Sequence, residues 1–186
     1  MSPEQNVARI RPQSAGEVLL RGFVLSVSCA VSNWLTTHLL AGAYSISRED
    51  DLLGGMWAVV STIFVYRFSQ AESMRSGLSR MAATLVSFVL CLAYLFFFPF
   101  QVWGMAALIG IGTVAVTLMD RPDDAITTGI TIAVIMVVAE LSPHNAWRQP
   151  ILRLADTAVG VVVGLAAVWT FTSLSTWWKA GKIEER

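Results

Sequence analysis

Residues 77–98 read GLSRMAATLVSFVLCLAYLFFF, a run in which Arg80 is the only charged residue. About 20 consecutive apolar residues are enough to cross the hydrocarbon core of a bilayer as an α-helix. The run therefore predicts a transmembrane helix with an arginine near one mouth. A charge in that position is costly and marks a candidate functional site.

A second stretch repeats this pattern. Residues 150–169 read PILRLADTAVGVVVGLAAVW, and a shift of 73 positions aligns Arg80 with Arg153 and Thr84 with Thr157. The second copy also carries Asp156, where the first copy has alanine. The repeat indicates that the chain consists of two related halves.

The composition is that of a membrane protein. Of the 186 residues, 55% are hydrophobic and 14% are charged, and the mean hydropathy is +0.61, whereas a soluble domain has about 25% charged residues. The formal net charge of zero gives no basic surface for nucleic acid. Neither a metal-binding nor a catalytic motif is present, so we expect no metal, no cofactor and no enzymatic activity.

We predict an all-α fold with six transmembrane helices. The predicted spans are residues 18–41, 52–68, 77–98, 102–119, 125–141 and 151–169, the last with a helical extension to 178. They form a membrane domain over 17–178, between polar tails at 1–16 and 179–186, with connecting loops that include 45–51 and 69–76. The polar first fifteen residues do not resemble a cleavable signal peptide.

The distribution of basic residues predicts the orientation. With the N-terminus in the cytoplasm, ten Arg and Lys residues lie at cytoplasmic ends and three at the opposite ends, as the positive-inside rule requires. Both termini are then cytoplasmic. Because each half has three helices, the halves 17–98 and 102–178 are expected to be inverted repeats, an architecture that recurs in transporters.

The two arginines are the main candidates for binding a substrate. A buried guanidinium stays charged and fits a carboxylate with two parallel hydrogen bonds. Alternatively, Arg80 and Arg153 extend to the lipid headgroups. Asp156 lies three residues after Arg153 and can pair with it, either as a structural counter-ion or as a proton carrier.

Hydroxyl and amide side chains are candidates for lining a substrate path. Thr84 shares a helix face with Arg80, and Ser61 and Thr131 place hydroxyls in the second and fifth spans. Asn33 belongs to a small and polar stripe on the first span, which predicts either a close helix contact or a path lining. Trp57 suits an interfacial aromatic belt, and the Gly160–Gly164 pair predicts close helix packing.

These residues also resemble a known family. The run GMWAVVSTIFV, followed after a loop by GLSRMAATLVS, resembles the WaxxT…GxxRxxGTxxG pattern of the fusaric acid resistance and aromatic acid exporter family. Residues 127–137 and 151–164 resemble its later copy. Arg80 and Thr84 match the Arg and Thr of the first motif, whereas Ala83 and Asp156 stand where the pattern has glycine.

The resemblance implies a bacterial inner-membrane exporter of aromatic carboxylic acids or related organic anions, driven by the proton gradient. Arg80, Thr84 and Arg153 fall on its motif positions. Together with Asn33, Ser61 and Thr131, they are our substrate-binding candidates, and Asp156 is the candidate proton-coupling residue. Longer members add a cytoplasmic domain and a second membrane half, so we expect this chain to form a homodimer or homotrimer. Two alternatives are a passive organic-anion channel, like the distantly similar plant malate channels, and a non-transporting subunit that docks through its GxxxG face.

Overall fold

A computed structural model describes residues 15–40, 48–141 and 143–184. The regular structure of these residues is helical, as predicted. Six α-helices follow one another: α1 Ala15–Leu35, α2 Arg48–Val65, α3 Gln70–Phe97, α4 Val102–Leu118, α5 Ala125–Leu141 and α6 Gln149–Glu184. A π-helical turn, Thr36–Leu40, extends α1, and short 3-10 turns, Pro122–Asp124 and Pro143–Arg148, precede α5 and α6.

Four segments among the described residues are long and apolar enough to cross a membrane: Ala15–His38, Gln70–Phe97, Pro122–Leu141 and Ala146–Ser175. They contain α1, α3, α5 and most of α6. The apolar helix α4 is shorter, with 17 residues, and α2 begins with the charged residues REDD. The chain is a multi-pass membrane protein.

Two predicted loops are partly helical. Helix α3 begins at Gln70, seven residues before the predicted span, because the Ser69 side chain accepts a hydrogen bond from the Glu72 N–H at 3.2 Å. This Ser-x-x-Glu spacing is a capping signal that overrides the polarity of residues 70–76. Helix α2 likewise begins at Arg48, whereas the prediction placed 48–51 in a loop.

The ends of the chain also differ from the prediction. Helix α6 continues to Glu184, so residues 179–184 are helical instead of forming a tail. At the other end α1 begins at Ala15, inside the predicted tail. The rest of the predicted N-terminal tail and residues 41–47 lie outside the described part of the chain.

Helices α3 and α6 pack against each other at the centre of the bundle. On one side, α2 packs on α6 and α1, and α1 also contacts α6. On the other side, α5 packs on α3 and α4, and α4 also contacts α3. Each of the two central helices is therefore flanked by helices from the opposite half of the chain.

The Gly160–Gly164 pair brings α6 into backbone contact with α2, which confirms the predicted close packing. A Cβ atom at Gly160 would lie against the Ala58 carbonyl oxygen and 2.6 Å from the Ser61 Cβ. At Gly164 it would lie 3.0 Å from the Thr62 carbonyl oxygen. Glycine is required here because there is no room for a side chain, and the partner of this GxxxG face is α2 of the same chain.

The interior between the helices contains many hydroxyl side chains. Buried hydroxyl residues on α1, α2, α3, α5 and α6 include Ser28, Ser32, Ser61, Thr62, Thr84, Ser87, Thr128, Thr131 and Thr157. Many large apolar side chains instead lie on the outside; Trp103, for example, is 85% exposed. This is the arrangement expected when lipid, and not water, surrounds the bundle.

Candidate functional site

Arg80 lies inside the bundle, against aromatic rings of α2. Its side chain projects from α3, and the residue is only 3% exposed. The guanidinium carbon lies 5.0 Å from the ring centroid of Trp57 and 5.0 Å from that of Phe64, within the range of cation–π attraction. These two residues share a face of α2 because seven positions separate them. Arg80 therefore does not extend to the headgroups.

One edge of the Arg80 guanidinium has no hydrogen-bond partner. Its Nε and Nη2 atoms are buried and unpaired among the described residues, and no described carboxylate lies within ion-pair distance. These two nitrogens form the edge that binds a carboxylate through two parallel hydrogen bonds. Moving one ion from water into a protein interior costs on the order of several kcal/mol. A buried, unpaired cation is thus suited to an anionic ligand.

Arg153 is buried as well, but it has a counter-ion. Its Nη1 lies 3.2 Å from the Asp156 Oδ2, and the two side chains are 1% and 5% exposed. The predicted pairing of these residues is confirmed. Gly54 of α2 makes room for the carboxylate, since a Cβ there would lie 2.9 Å from the Asp156 Oδ1.

A second carboxylate, that of Asp50, interacts with the Arg153–Asp156 pair. Gln149 is 2% exposed, and its Nε2 donates a hydrogen bond to the Asp50 Oδ1 at 3.1 Å. Asp50 also interacts electrostatically with both members of the pair. Among the described residues, Arg153 therefore interacts with two carboxylates, Asp156 and Asp50.

Trp57 contacts both arginine environments. Its ring lies over Arg80, and its Nε1–H donates a hydrogen bond to the Thr157 Oγ1 at 3.1 Å. Thr157 directly follows Asp156 in α6. Trp57 is 4% exposed, so its interpretation as an interfacial belt residue was wrong. The early start of α2 places it near the midpoint of that helix.

The predicted hydroxyl residues are buried, but they donate hydrogen bonds within their own helices. Thr84 donates to the Arg80 carbonyl at 2.8 Å, Ser61 to the Trp57 carbonyl at 3.0 Å, and Thr131 to the Thr127 carbonyl at 2.8 Å. Each hydroxyl oxygen can still accept hydrogen bonds from other groups.

Asn33 lies apart from these residues. It is exposed on α1, with its side-chain amide next to Gly55 of α2. Among the described residues, neither Asn33 nor Thr131 forms a hydrogen bond or ion pair with Arg80 or Arg153. Ser61 is thus connected to the surroundings of Arg80 through the Trp57 carbonyl, and Thr84 through the Arg80 carbonyl. Asn33 and Thr131 have no such connection among the described residues.

Four residues near the arginines were missed by the sequence interpretation: Phe64, Gly54, Gln149 and Asp50. Phe64 could have been found because it shares a helical face with Trp57 and Ser61. Gly54 and Gln149 acquire their roles only through contacts between α2 and α6. Such contacts depend on the register of two helices, which a single sequence does not specify.

A charged cavity of about 580 Å³ lies where α2 ends, α3 begins and α4 turns into α5. Its lining includes three arginines and four acidic residues: Arg67, Arg75, Arg121, Glu72, Asp120, Asp123 and Asp124. Ser79, which precedes Arg80, also lines it and donates a hydrogen bond to Asp124. The cavity is therefore next to the helical turn that carries Arg80.

A comparison with protein families identifies the relatives of this chain. The model of fusaric acid resistance protein-like proteins matches residues 27–167, more than half of the chain. The chain belongs to this fusaric acid resistance protein-like family. Family membership confirms the resemblance and indicates a transporter-like membrane protein. The matched range contains Trp57, both buried arginines and Asp156. No match was found among curated proteins or among solved structures.

Proposed function

We propose that this protein exports small organic anions, chiefly aromatic carboxylic acids, across a bacterial inner membrane and that protons drive the export. The unpaired Nε and Nη2 edge of Arg80 is the observation that supports this proposal most directly. A carboxylate on that edge would satisfy both donors and neutralise the buried charge. The neighbouring rings of Trp57 and Phe64 offer an aromatic ligand a surface on which to stack.

The charged cavity is the proposed cytoplasmic entrance. An anion would be attracted only near Arg67 and Arg75, because Arg121 is ion-paired with Asp124 at 3.7 Å and four acidic residues also line the cavity. Ser79 connects this wall to Arg80, one residue further along α3. An anion entering here would reach the buried guanidinium from the side on which the positive-inside rule places the cytoplasm.

The proposed topology has six spans with both termini in the cytoplasm and two inverted halves, within a membrane domain over 17–178. The helix packing supports the repeat. Exchanging α1 with α4, α2 with α5 and α3 with α6 maps each major helix contact onto another observed contact. The aligned pairs Arg80 and Arg153, and Thr84 and Thr157, are all buried.

Asp156 is the proposed proton carrier. With the carboxylate ionised, it neutralises Arg153 at 3.2 Å. Protonation removes this compensation and leaves Arg153 as a second buried cation that can attract the substrate carboxylate. Because an inward proton gradient drives export only by exchange, the anion would have to leave from Arg153 before the proton is released to the cytoplasm.

The burial of the site favours a carrier over a passive channel. An open anion pore exposes its positive lining to water, whereas Arg80 and Arg153 are 3% and 1% exposed. The alternative of a non-transporting subunit is also weakened, since α2 covers the GxxxG face through which a partner was expected to dock.

A homo-oligomer, either a dimer or a trimer, completes the proposal. The stripe on α1 supports it, because Gly22, Ser26 and Asn33 are exposed in the isolated chain. Small residues such as Gly22 and Ser26 allow a second helix to approach closely. A second copy is the partner that we propose for this helix.

Reconstitution tests the proposed function. Proteoliposomes loaded with radiolabelled benzoate should release it faster than protein-free liposomes of the same lipid that carry the same load. An inward proton gradient should accelerate the release. Arg80→Leu should abolish the protein-dependent part, while Arg148→Leu, a change at an arginine beside Trp147, should retain it. Benzoate release at the rate of protein-free liposomes would refute export, and release that ignores the gradient would favour a channel.

A further inference from the structure

Trp57 is the point at which the two arginine environments meet. The ring face contacts the Arg80 guanidinium at 5.0 Å, while the indole N–H is bonded to Thr157 at 3.1 Å. These are two different parts of one rigid side chain. A rotation of the indole that follows a movement of Arg80 must therefore change the distance to Thr157.

The contact with Thr157 acts on the turn of α6 that holds the ion pair. Thr157 follows Asp156, and Asp156 forms an ion pair with Arg153 one turn earlier. The same segment of α2 contacts this carboxylate through Gly54. A shift of the Trp57 indole is thus transmitted through Thr157 to the turn of α6 in which the Asp156 carboxylate has little free space.

We propose that Trp57 couples anion binding at Arg80 to proton binding at Asp156, and this inference rests on the proposed function. A carboxylate on the Nε and Nη2 edge reduces the net charge that faces the indole, which weakens the cation–π contact. The indole then shifts, its hydrogen bond to Thr157 changes, and the ionised and protonated forms of Asp156 change in relative stability. Trp57 is a positioning residue in this scheme, because its hydrogen bond acts through Thr157.

The charged groups that face Asp156 come from two helices. Arg153 lies on its own helix and Asp50 on α2, and both interact with it electrostatically. The uncharged methyl carbon of Thr36, from the π-helical turn that extends α1, lies beside the same position of Gly54 as the carboxylate. A direct electrostatic effect of Arg80 on Asp156 would not need the indole N–H. The Trp57–Thr157 hydrogen bond is therefore the feature to remove.

The test measures benzoate affinity at two pH values by calorimetry on the purified protein in lipid nanodiscs. Coupling free energies between sites typically correspond to about 5- to 150-fold changes in affinity, and we expect the wild-type Kd ratio between the two pH values to lie in that range. Trp57→Phe retains an aromatic ring for Arg80 but lacks the N–H donor. Because the Trp57 ring is also a proposed stacking surface for the ligand, the benzoate Kd of this variant should rise at both pH values, while the ratio between the two Kd values falls toward one.

Changes at the acceptor provide the second test. Thr157→Val should lower the Kd ratio in the same way, while Thr157→Ser, which keeps the hydroxyl, should restore it. The double variant of Trp57→Phe and Thr157→Val should be no worse than either single variant, because both remove the same hydrogen bond. Trp103→Phe is the matched control, since this tryptophan is 85% exposed.

The outcomes separate this inference from the proposed function. Absent or pH-independent benzoate binding by the wild type would overturn the proposed function and the coupling together. A wild-type Kd ratio that persists in Trp57→Phe would overturn the role of Trp57 and leave the proposed function standing. Loss of all benzoate binding in Trp57→Phe would also overturn it, because the indole would then be needed for binding itself.

Discussion

Replacing Arg80 by lysine separates the shape of the cation from its charge. Lysine keeps the positive charge, but its ammonium is a compact group without the planar donor edge. The wild-type edge has two unpaired donors, Nε and Nη2, so we expect Arg80→Lys to lose one of two charge-assisted hydrogen bonds to a carboxylate. Such a bond contributes about 1.5–3 kcal/mol, which corresponds to roughly 10- to 150-fold weaker binding.

Isothermal titration of benzoate into the purified protein measures this loss directly. Arg148→Lys is the control, because Arg148 lies against the exposed Trp147 and its replacement should leave the benzoate Kd unchanged. Equal affinity of Arg80→Lys and wild type would show that the planar edge does not bind the carboxylate, and the assignment of Arg80 would then be wrong.

Two further substitutions, Arg153→Leu and Gly160→Leu, test the packing around the site, and each has a control variant. Arg153→Leu should lower the thermal unfolding temperature, because it leaves the Asp156 carboxylate buried without its partner at a cost of about 3–5 kcal/mol. Its control, Arg80→Met, should not lower the unfolding temperature, since no described carboxylate loses a partner. Gly160→Leu should destabilise the protein by at least about 1–3 kcal/mol through overpacking, as its Cβ would meet the Ser61 Cβ at 2.6 Å. Gly110→Leu should be tolerated, because nothing lies within 4 Å of the corresponding Cβ. Scanning fluorimetry in detergent measures all four variants, and a Gly110→Leu protein as unstable as Gly160→Leu would contradict the packing argument.

The apolar runs predicted the helices well wherever hydrophobicity alone determines a boundary. Helix α5 has the predicted bounds, and α4 differs by one residue. Prediction failed at the polar starts of α2 and α3, where capping and the first helical turn extend beyond the apolar segment. At α3 the decisive interaction is local, from Ser69 to Glu72, and its spacing is visible in the sequence.

The candidate site was predictable only in part. Three-residue spacing on one helix was enough to pair Arg153 with Asp156, since such neighbours lie on one face. The position of Trp57 was not predictable from its own helix, because its contacts with Arg80 and Thr157 come from two other helices. Those contacts require the close approach of α2 and α6 at Gly160, a distance that composition and periodicity do not encode.

That approach also limits how the protein can move. Backbone contact at Gly160 and Gly164 leaves no side-chain layer in which α2 and α6 could slide past each other. These two helices therefore behave as one rigid body, which carries Trp57 together with the Arg153–Asp156 pair. Arg80 belongs to a different body, α3. Opening of the site must then take place at the boundary between α3 and the α2–α6 unit, where Arg80 lies against aromatic rings and the hydrogen bond from the Ser76 hydroxyl to the Phe64 carbonyl has to break.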